Sequence, residues 1–581
     1  MQNRLREDNR PYARRHGFIT ALLFVYIVLR AVYIPAVHDE VATFLLYIRS
    51  LDFIPGLAHL DANNHLTSSI FGLLMYELFG ADMAFLRMPS AISFLIYAYF
   101  IYRISTAFIE KNFRLSFSIF MLCIPIVIEY FSLLRGYGMS FAFLSGFLYY
   151  SLRGLQEMKA GFLLFQALFL LLSLASGLNL LLICLMASGI SLLFCLYQKK
   201  YTYLPIFLLH SIIFGYFIWY SFRLKAMGML YYGGDTGFLE DTVKSLADLL
   251  LPQNPQAGMW ILILMAMLSL FLPLYKKNRT INGLFFFVLF WGNIAAILLM
   301  HAILGVKFPT DRTALHLYFI LLFLLSVGLF RNRKWLFSMA VLGQLFLFML
   351  NMNLTHSTFW RHEHISEELY NSIFADASIH SPMIAGYKMN GLVLPYENYR
   401  RGRSAGDVIS IDYNYTQADY IISEHYDTLQ HHGDYTLIMQ DPVSRKSVWK
   451  KKIPVVWSRA DSGSVRSGLT NTMYMDVWKA KEANKYDGKD LRLCMEVRIK
   501  ADKHAGIDFI FKDHNPLGHP DRHARLILGL QPFQDGLYTF HVDLYLKSNH
   551  IQDSDFSCFI YNPKEAEFSV EDLQYVLYTA E

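Results

Sequence analysis

Long apolar stretches constrain the fold of this chain more than any other feature. A stretch of roughly 17 to 25 apolar residues is long enough to cross the hydrocarbon core of a bilayer as an α-helix. Hydrophobic residues make up 54% of the chain and charged residues only 17%, which excludes an ordinary soluble enzyme and predicts a polytopic α-helical membrane protein. The sequence predicts eleven spans, near residues 17–37, 88–108, 115–133, 137–153, 161–177, 180–197, 202–221, 257–274, 281–301, 313–330 and 335–353.

The apolar pattern stops near Leu354, and charged and polar residues then continue to Glu581. We therefore expect a membrane domain over 1–354, which includes a long first outer loop at 37–87. The mixed helix-like and strand-like pattern of 355–450 predicts a small α/β unit. Residues 451–581 predict a β-sandwich, because strands such as LRLCMEVRIK alternate cleanly between apolar and polar residues.

Lysine and arginine are concentrated in alternate loops, which predicts the orientation in the membrane. The basic segments are those before the first span and near 111–114, 153–159, 199–200, 276–279 and 331–334. With eleven crossings, the N-terminus is expected in the cytoplasm and the C-terminal region outside. The first span is not expected to be a cleaved signal peptide. The net charge of +5 follows from this sidedness and does not indicate a nucleic-acid partner.

An acidic pair lies directly after the first span, in the string VHDEVATF. Ionisable residues beside a span mark a functional site more often than a core, which makes Asp39 and Glu40 catalytic candidates. The alternative is that Asp39 caps a helix and Glu40 complements its dipole. The apolar residues that follow predict an amphipathic helix in the membrane interface; they are Val41, Phe44, Leu45, Ile48 and Leu51.

A second helix is expected to begin near Asn64. If residues 61–65 are helical, Asp61 and His65 lie on one face, a spacing that suits a metal ion or a shared phosphate. The alternative is that Asp61 caps this helix and His65 faces water. No cofactor is certain, and a divalent metal bound through Asp39, Asp61 and His65 stays open.

The first loop also carries a distinctive order of motifs. An acidic pair is followed by D-x-x-x-H with an asparagine pair, an apolar helix ending in LFG, and LRMPSA at the start of the next span. This order resembles the GT-C glycosyltransferases, specifically the protein-mannosyltransferase and aminoarabinose-transferase-like group (family 39-like). LLRGYGMSFAFLSGFLYYSLR at 133–153 and KFPTDRTALHLYFILLFLL at 307–325 are similar to later segments of that group. The sequence departs from it at Asn64-His65-Leu66, where many relatives have His-Pro-Pro or Lys-Pro-Pro.

The resemblance implies a bacterial cytoplasmic-membrane glycosyltransferase. Its donor would be a polyprenyl-phosphate sugar, and its acceptor an envelope glycan, lipid or protein on the outer side. Such a reaction needs a carboxylate to deprotonate the acceptor hydroxyl and cations to stabilise the departing phosphate. We predict Asp39 as the base, with Glu40 orienting or replacing it. Arg135, Lys307 and Arg312 are predicted phosphate ligands, and Asp61, His65 and Tyr137 are predicted substrate-binding residues.

The predicted cations also have a simpler interpretation, since arginine and lysine at span ends commonly reach the membrane surface as anchors. That alternative applies to Arg135, Lys307 and Arg312, and it is favoured for Arg87 and for Arg30, which lies inside the first span. The string Tyr231 to Asp235 could be a mobile cover over the site, because glycine pairs allow hinges.

Other classes of function stay open beside the transferase. A transporter or polymer exporter is one, and a non-catalytic glycan-binding scaffold is another. Aromatic residues of the C-terminal region could stack on sugars, although core packing is favoured; they are Trp457, Trp478, Tyr538, Tyr545 and Tyr561. The histidines at 514, 519 and 523 predict a solvated loop rather than a metal site, and pairing of Cys494 with Cys558 stays open.

Overall fold

The computed structural model describes residues 10–54, 61–271, 281–329, 334–375, 382–386, 390–404, 418–424, 432–481, 485–486, 488–514, 522–546 and 555–580. Its contacts divide the chain into two compact units. The first comprises Met1–Ile34 with Phe53–Phe359, and the second comprises Pro35–Asp52 with Trp360–Glu581. The acidic pair therefore belongs to the same compact unit as the C-terminal region.

Helices occupy every one of the eleven stretches predicted as spans. Outside the spans, α2 (His38–Thr43) belongs to the second unit, and α3 (Leu66–Phe79) and α11 (Ser245–Leu250) belong to the first. The helices in the predicted spans are α1 (Arg10–Tyr33), α4 (Met83–Phe108), α5 (Arg114–Leu122) with α6 (Pro125–Phe131), α7 (Gly136–Gln156), α8 (Ala160–Ser176), α9 (Leu181–Tyr197), α10 (Leu204–Ala226), α12 (Pro255–Leu270), α13 (Ile281–Leu304), α14 (Asp311–Leu324) and α15 (Lys334–Asn351).

Five helical segments in the described part of the chain are long and apolar enough to cross a membrane. Helices α5 and α6 are bent by 62° at Cys123 and Ile124, and they add a sixth if the pair is one broken span. Helices α3, α8, α12 and α15 are apolar but shorter. The chain thus has the apolar helices of a multi-pass membrane protein, while the count of eleven crossings stays a prediction.

Helix α7 lies at the centre of the first unit. All of its residues from Gly136 to Tyr149 are buried, whereas Met339, Leu342 and Phe346 of α15 are about two-thirds exposed. An exposed apolar face of this kind suits lipid rather than water. The residue that precedes α7, Arg135, is consequently placed at the end of the most enclosed helix of the unit.

The second unit contains a small α/β part. Its four-stranded sheet has the order β1 (Ile384–Gly386), β2 (Tyr420–Ser423), β4 (Ser447–Lys451) and β3 (Tyr435–Gln440). Strands β1 and β2 are parallel, and the other neighbours are antiparallel. Helices α16 (Glu367–Phe374) and α17 (Asn390–Arg400) contribute Leu369, Val393 and Leu394 to a core shared with this sheet.

Two antiparallel sheets form the rest of the second unit. Their strands are β5 (Trp457–Val465), β6 (Tyr474–Lys479), β7 (Leu491–Ala501), β8 (Asp508–His514), β9 (Arg522–Ile527), β10 (Phe533–Gln534), β11 (Leu537–Leu546), β12 (Asp555–Tyr561) and β13 (Phe568–Ala580). The sheet orders are β10-β11-β7-β13-β5 and β6-β12-β8-β9. One core takes residues from both sheets, as in a sandwich. The predicted alternation of β7 is confirmed, since its odd-numbered residues from Leu491 to Ile499 are all buried.

Candidate functional site

The acidic pair lies in the first turn of α2. Val37 is the N-cap, so Asp39 is not the cap that the sequence suggested as an alternative. The Glu40 carboxylate accepts the N–H of Val37 at 3.2 Å and is fully buried, which is the capping-box role of an acid at this position. Glu40 thus stabilises the start of the helix. The half-buried Asp39 is the better candidate for a base.

The apolar face of this helix packs on protein. Helix α2 continues as a π-helical turn, Phe44–Arg49, and Val41, Phe44 and Ile48 are fully buried. The Phe44 ring meets that of Tyr396 edge-on, with the centroids 6.2 Å apart. The prediction of a helix lying in the membrane interface is therefore wrong, because its apolar stripe is covered by other residues of the same unit.

Residues 61–65 form a turn rather than a helix. The Asp61 carboxylate accepts the backbone N–H of Asn63 at 2.9 Å, and α3 begins only at Leu66 with His65 as its N-cap. Asp61 and His65 are consequently not an i and i+4 pair on a helix face. The predicted cap at Asp61 is also wrong, because an aspartate that bonds two residues ahead favours a turn.

His65 is buried against the start of α7. Its Nδ1 atom donates to the carbonyl oxygen of Ser176 at 2.7 Å, and its ring lies 4.8 Å from that of Tyr137. Gly136 makes this approach feasible, since a Cβ atom there would lie 2.3 Å from the Ser176 oxygen and 2.5 Å from the His65 side chain. The prediction that His65 faces water is wrong, whereas two of the predicted substrate-binding residues, His65 and Tyr137, do lie together.

Arg135 joins the same group of residues. Its side chain is fully buried, and its Nη2 atom donates to Oδ1 of Asn63 at 2.5 Å. Its guanidinium carbon lies 5.8 Å from the centroid of the Tyr137 ring. Arg135 is not a surface anchor, and because Asn63 is neutral, this bond orients the guanidinium without cancelling its charge.

A second predicted cation converges on the same place. The Tyr130 ring lies 4.9 Å from that of Tyr137, and the charges of Arg312, Glu129 and Arg135 all act on its hydroxyl. The Arg312 guanidinium carbon lies 4.7 Å from the centroid of the Tyr232 ring. We call Arg135, Arg312, Tyr130, Tyr137 and Tyr232 the arginine–tyrosine cluster. Tyr130 was not predicted from the sequence, because its only signal is a hydroxyl in a buried apolar helix.

Lys307 is placed differently from the two arginines. Its side chain is 37% exposed, and its Nζ atom donates to the Tyr231 carbonyl at 3.1 Å and lies 3.6 Å from the Asp235 carboxylate. Gly234 and Phe308 also exchange two backbone hydrogen bonds. These contacts fasten the loop that was predicted as a mobile cover, and they assign Lys307 a role in holding that loop.

Glu129, which directly precedes Tyr130, forms a buried ion pair. The guanidinium of Arg30 lies 3.7 Å from the Glu129 carboxylate, both side chains are at most 4% exposed, and Nη1 of Arg30 donates to the Asn353 carbonyl at 2.7 Å. Arg30 therefore does not reach the membrane surface as expected. Arg87 is also buried, and it donates to the Ala31 and Ile34 carbonyls at the end of α1.

The structure also locates residues that were predicted from the sequence as possible ligands of a metal ion or a sugar. Among the described residues, no three His, Cys, Asp or Glu side chains are grouped so that they could hold a metal ion. The Asp61 carboxylate accepts a backbone N–H and His65 Nδ1 donates to a backbone carbonyl, which leaves Nε2 as the ring nitrogen of His65 that could bind a metal. Of the histidine cluster, His519 and the side chains at 514 and 523 lie outside the described residues. Trp478, Tyr538 and Tyr545 are buried, which agrees with core packing.

Comparisons with known proteins find similarity in structure but not in sequence. No family model matches the chain, and no curated protein matches it. Arabinosyltransferase EmbB from Mycobacterium smegmatis matches with a TM-score of 0.37 and 10% identity, over 97% of this chain and 64% of that one. ArnT from Cupriavidus metallidurans bound to undecaprenyl phosphate matches with a TM-score of 0.37 and 12% identity, over 76% and 98%.

Arabinofuranosyltransferase AftD from mycobacteria matches with a TM-score of 0.39 and 9% identity, over 98% of this chain and 61% of that one. The chain therefore spans less than two thirds of the length of EmbB and of AftD. EmbB, ArnT and AftD are GT-C glycosyltransferases.

Proposed function

We propose that this chain is a membrane glycosyltransferase that uses a polyprenyl-phosphate sugar. The acceptor would be an envelope glycan, lipid or protein on the extracytoplasmic side. The observation that supports this function best is the arginine–tyrosine cluster, in which the guanidinium groups of Arg135 and Arg312 lie beside tyrosine rings inside an apolar helical unit. Two guanidinium groups match the planar oxygens of a phosphate, and the apolar surroundings strengthen that attraction.

The proposed reaction forms a bond from an acceptor oxygen to the anomeric carbon and breaks the bond from that carbon to the phosphate oxygen. The electron pair of the broken bond leaves with the polyprenyl phosphate, whose added negative charge Arg135 and Arg312 stabilise. The proton of the acceptor hydroxyl passes to the Asp39 carboxylate. His65 and Tyr137 line the same cluster and are the proposed sugar contacts, while Asp61 shapes the turn that presents Asn63.

The test uses the full-length protein in lipid nanodiscs, a radiolabelled polyprenyl-phosphate sugar and envelope extract. We expect Asp39→Asn to reduce transfer to a small residual rate while donor binding persists. Glu40→Gln should keep most activity, because glutamine also serves in a capping box. Asp52→Asn is the matched control on the same segment. Full activity of Asp39→Asn would refute the assignment of the base.

The orientation of the chain in the membrane and the alternative that it is a transporter need separate measurements. A cysteine introduced at Asp52 should react with a membrane-impermeant thiol reagent added outside intact cells. Reaction only after the membrane is opened would place this segment in the cytosol and refute the proposed topology. Glycan export by vesicles that lack donor lipid would instead favour a transporter.

A further inference from the structure

The helical segment 38–49 bears Asp39, and the contacts at its two ends come from residues far along the chain. We call this segment, α2 with its π-helical turn, the acidic helix. It has no break between the α-helical and π-helical parts, since Thr43 and Phe44 both keep right-handed helical dihedral angles. A displacement of one end is therefore transmitted to Asp39.

The first end is held by a buried glutamate. The backbone N–H of His38 donates to the Glu363 carboxylate at 2.7 Å, across 325 residues of sequence. Glu363 is 3% exposed, and the fully buried Lys446 interacts with it electrostatically. Because the first N–H groups of a helix have no partner within it, a carboxylate here both satisfies a donor and complements the helix dipole.

The other end is inserted into the sandwich. Nη2 of Arg49 donates to the Lys503 carbonyl at 2.9 Å and to the Tyr538 hydroxyl at 3.3 Å, and the residue is 4% exposed. Gly529 leaves the space for this side chain, since a Cβ atom there would overlap the Arg49 guanidinium. Nδ1 of His504 donates to the Arg49 carbonyl at 2.6 Å, so backbone and side chain are both held.

We propose that the C-terminal β-rich region is a positioning device for Asp39, with Glu363 and Arg49 as positioning residues at the two ends of the acidic helix. This inference rests on the proposed function and extends it, because it assigns a role in catalysis to a region for which sugar binding was the alternative. A base displaced by about 1 Å can lose ~100-fold in rate, and a helix held at both ends limits such a displacement.

The kinetic experiment compares Arg49→Ala and Glu363→Ala with the wild type. We expect kcat to fall about 10- to 100-fold while KM for the donor is unchanged, because a base is misplaced and the phosphate ligands are not. Glu363→Gln should recover part of the loss, since it keeps an acceptor for the His38 N–H. The matched controls replace two exposed side chains. Arg466→Ala removes an ion pair with Asp572, and Glu367→Ala removes an ion pair with Arg401.

A double variant separates positioning from general damage. In an Asp39→Asn background, Arg49→Ala should cause no further loss of the residual rate, because the group that it positions is already absent. A wild-type kcat for Arg49→Ala, or a further loss in the double variant equal to that of the single variant, would overturn the proposal.

Hydrogen exchange tests whether Arg49 holds the acidic helix, and it needs no activity assay. The amides of residues 40–49 should exchange at least ~10-fold faster in Arg49→Ala than in the wild type or in Arg466→Ala. Unchanged exchange across the acidic helix would overturn the proposal even if kcat fell. If Asp39→Asn were fully active, the assignment of Asp39 as the base would fail, and the exchange measurement would still show whether the sandwich holds the helix.

Discussion

Nη2 of Arg135 donates to Oδ1 of Asn63 at 2.5 Å, and this bond joins the first loop to the start of α7. The two residues are 72 positions apart in the sequence. An amide oxygen can orient a guanidinium as well as a carboxylate can, yet it adds no negative charge that would compete with a phosphate.

Replacing Arg135 by lysine should weaken donor binding and slow transfer by about 10- to 100-fold, because an ammonium cannot make two parallel bonds to a phosphate. Binding of polyprenyl phosphate and transfer are measured for the same preparation. Asn63→Asp should weaken donor binding too, since the new carboxylate pairs with Arg135. Arg103→Lys, at tyrosines remote from this bond, is the control, and equal losses in both arginine variants would contradict the assignment.

Replacing Gly136 by alanine should separate His65 from the start of α7, since the new methyl group meets the Ser176 carbonyl. We expect a loss of about 1–3 kcal/mol in stability and a larger loss of transfer than of donor binding. Thermal unfolding and activity are compared with Gly189→Ala, where no heavy atom lies within 4 Å of the added carbon. Indistinguishable behaviour of the two variants would show that the close contact is unimportant.

Removing one partner of the Arg30–Glu129 pair should destabilise the protein strongly. Glu129→Ala leaves a buried guanidinium without its carboxylate, which costs about 3–5 kcal/mol. Replacing both residues together, as Arg30→Met with Glu129→Leu, should recover most of this loss. Denaturation in detergent measures both effects, and Glu157→Ala at an exposed pair should change little. Equal stability of Glu129→Ala and the wild type would rule out a structural role for the pair.

The stability of the second unit should rise with pH through Lys446. Burial lowers the pKa of Lys446 from 10.5 to about 8. Between these values the unfolded chain binds a proton that the folded protein does not, so the contribution of Lys446 to the free energy of unfolding increases with pH there and is constant below about 8. The difference in melting temperature between the wild type and Lys446→Met should therefore increase from about pH 8 to pH 10.5. A constant difference from about pH 7 to 10.5 would contradict the prediction.

Reducing agents should leave the melting temperature unchanged, because the structure has Cys494 and Cys558 as free thiols. Burial raises the pKa of both thiols, which slows their reaction with alkylating reagents in the folded protein. Mass spectrometry should find both residues alkylated in denaturant without prior reduction. A fall in melting temperature with dithiothreitol would indicate a bridge between them.

The local features of the fold were predictable from the sequence because they depend on neighbouring residues. Apolar stretches predict helices α1 and α4, and the alternation from Leu491 to Ile499 predicts β7. Arg135, which precedes α7, was predicted as a site residue because a cation beside an apolar span is unusual. Glu129 could have been found in the same way, as an acid within the apolar string PIVIEYF.

The contacts that position the candidate residues could not be predicted. Hydrogen bonds between residues 38 and 363, or 49 and 503, leave no periodic signal in either segment. The environment of His65 depends on Ser176, which is 111 residues away. The turn at Asp61 was mistaken for a helix start because an aspartate before an apolar run suits both structures, and only the tertiary packing decides between them.

The side chain of Lys564 donates to the carbonyl of Ser50, 514 residues earlier. During synthesis, the segment that bears Asp39 leaves the ribosome long before the strands that contact it have been made. The segment therefore lacks its final hydrogen-bond partners while the intervening chain is made. The Arg49 side chain can reach its acceptor only after residue 503 has been made.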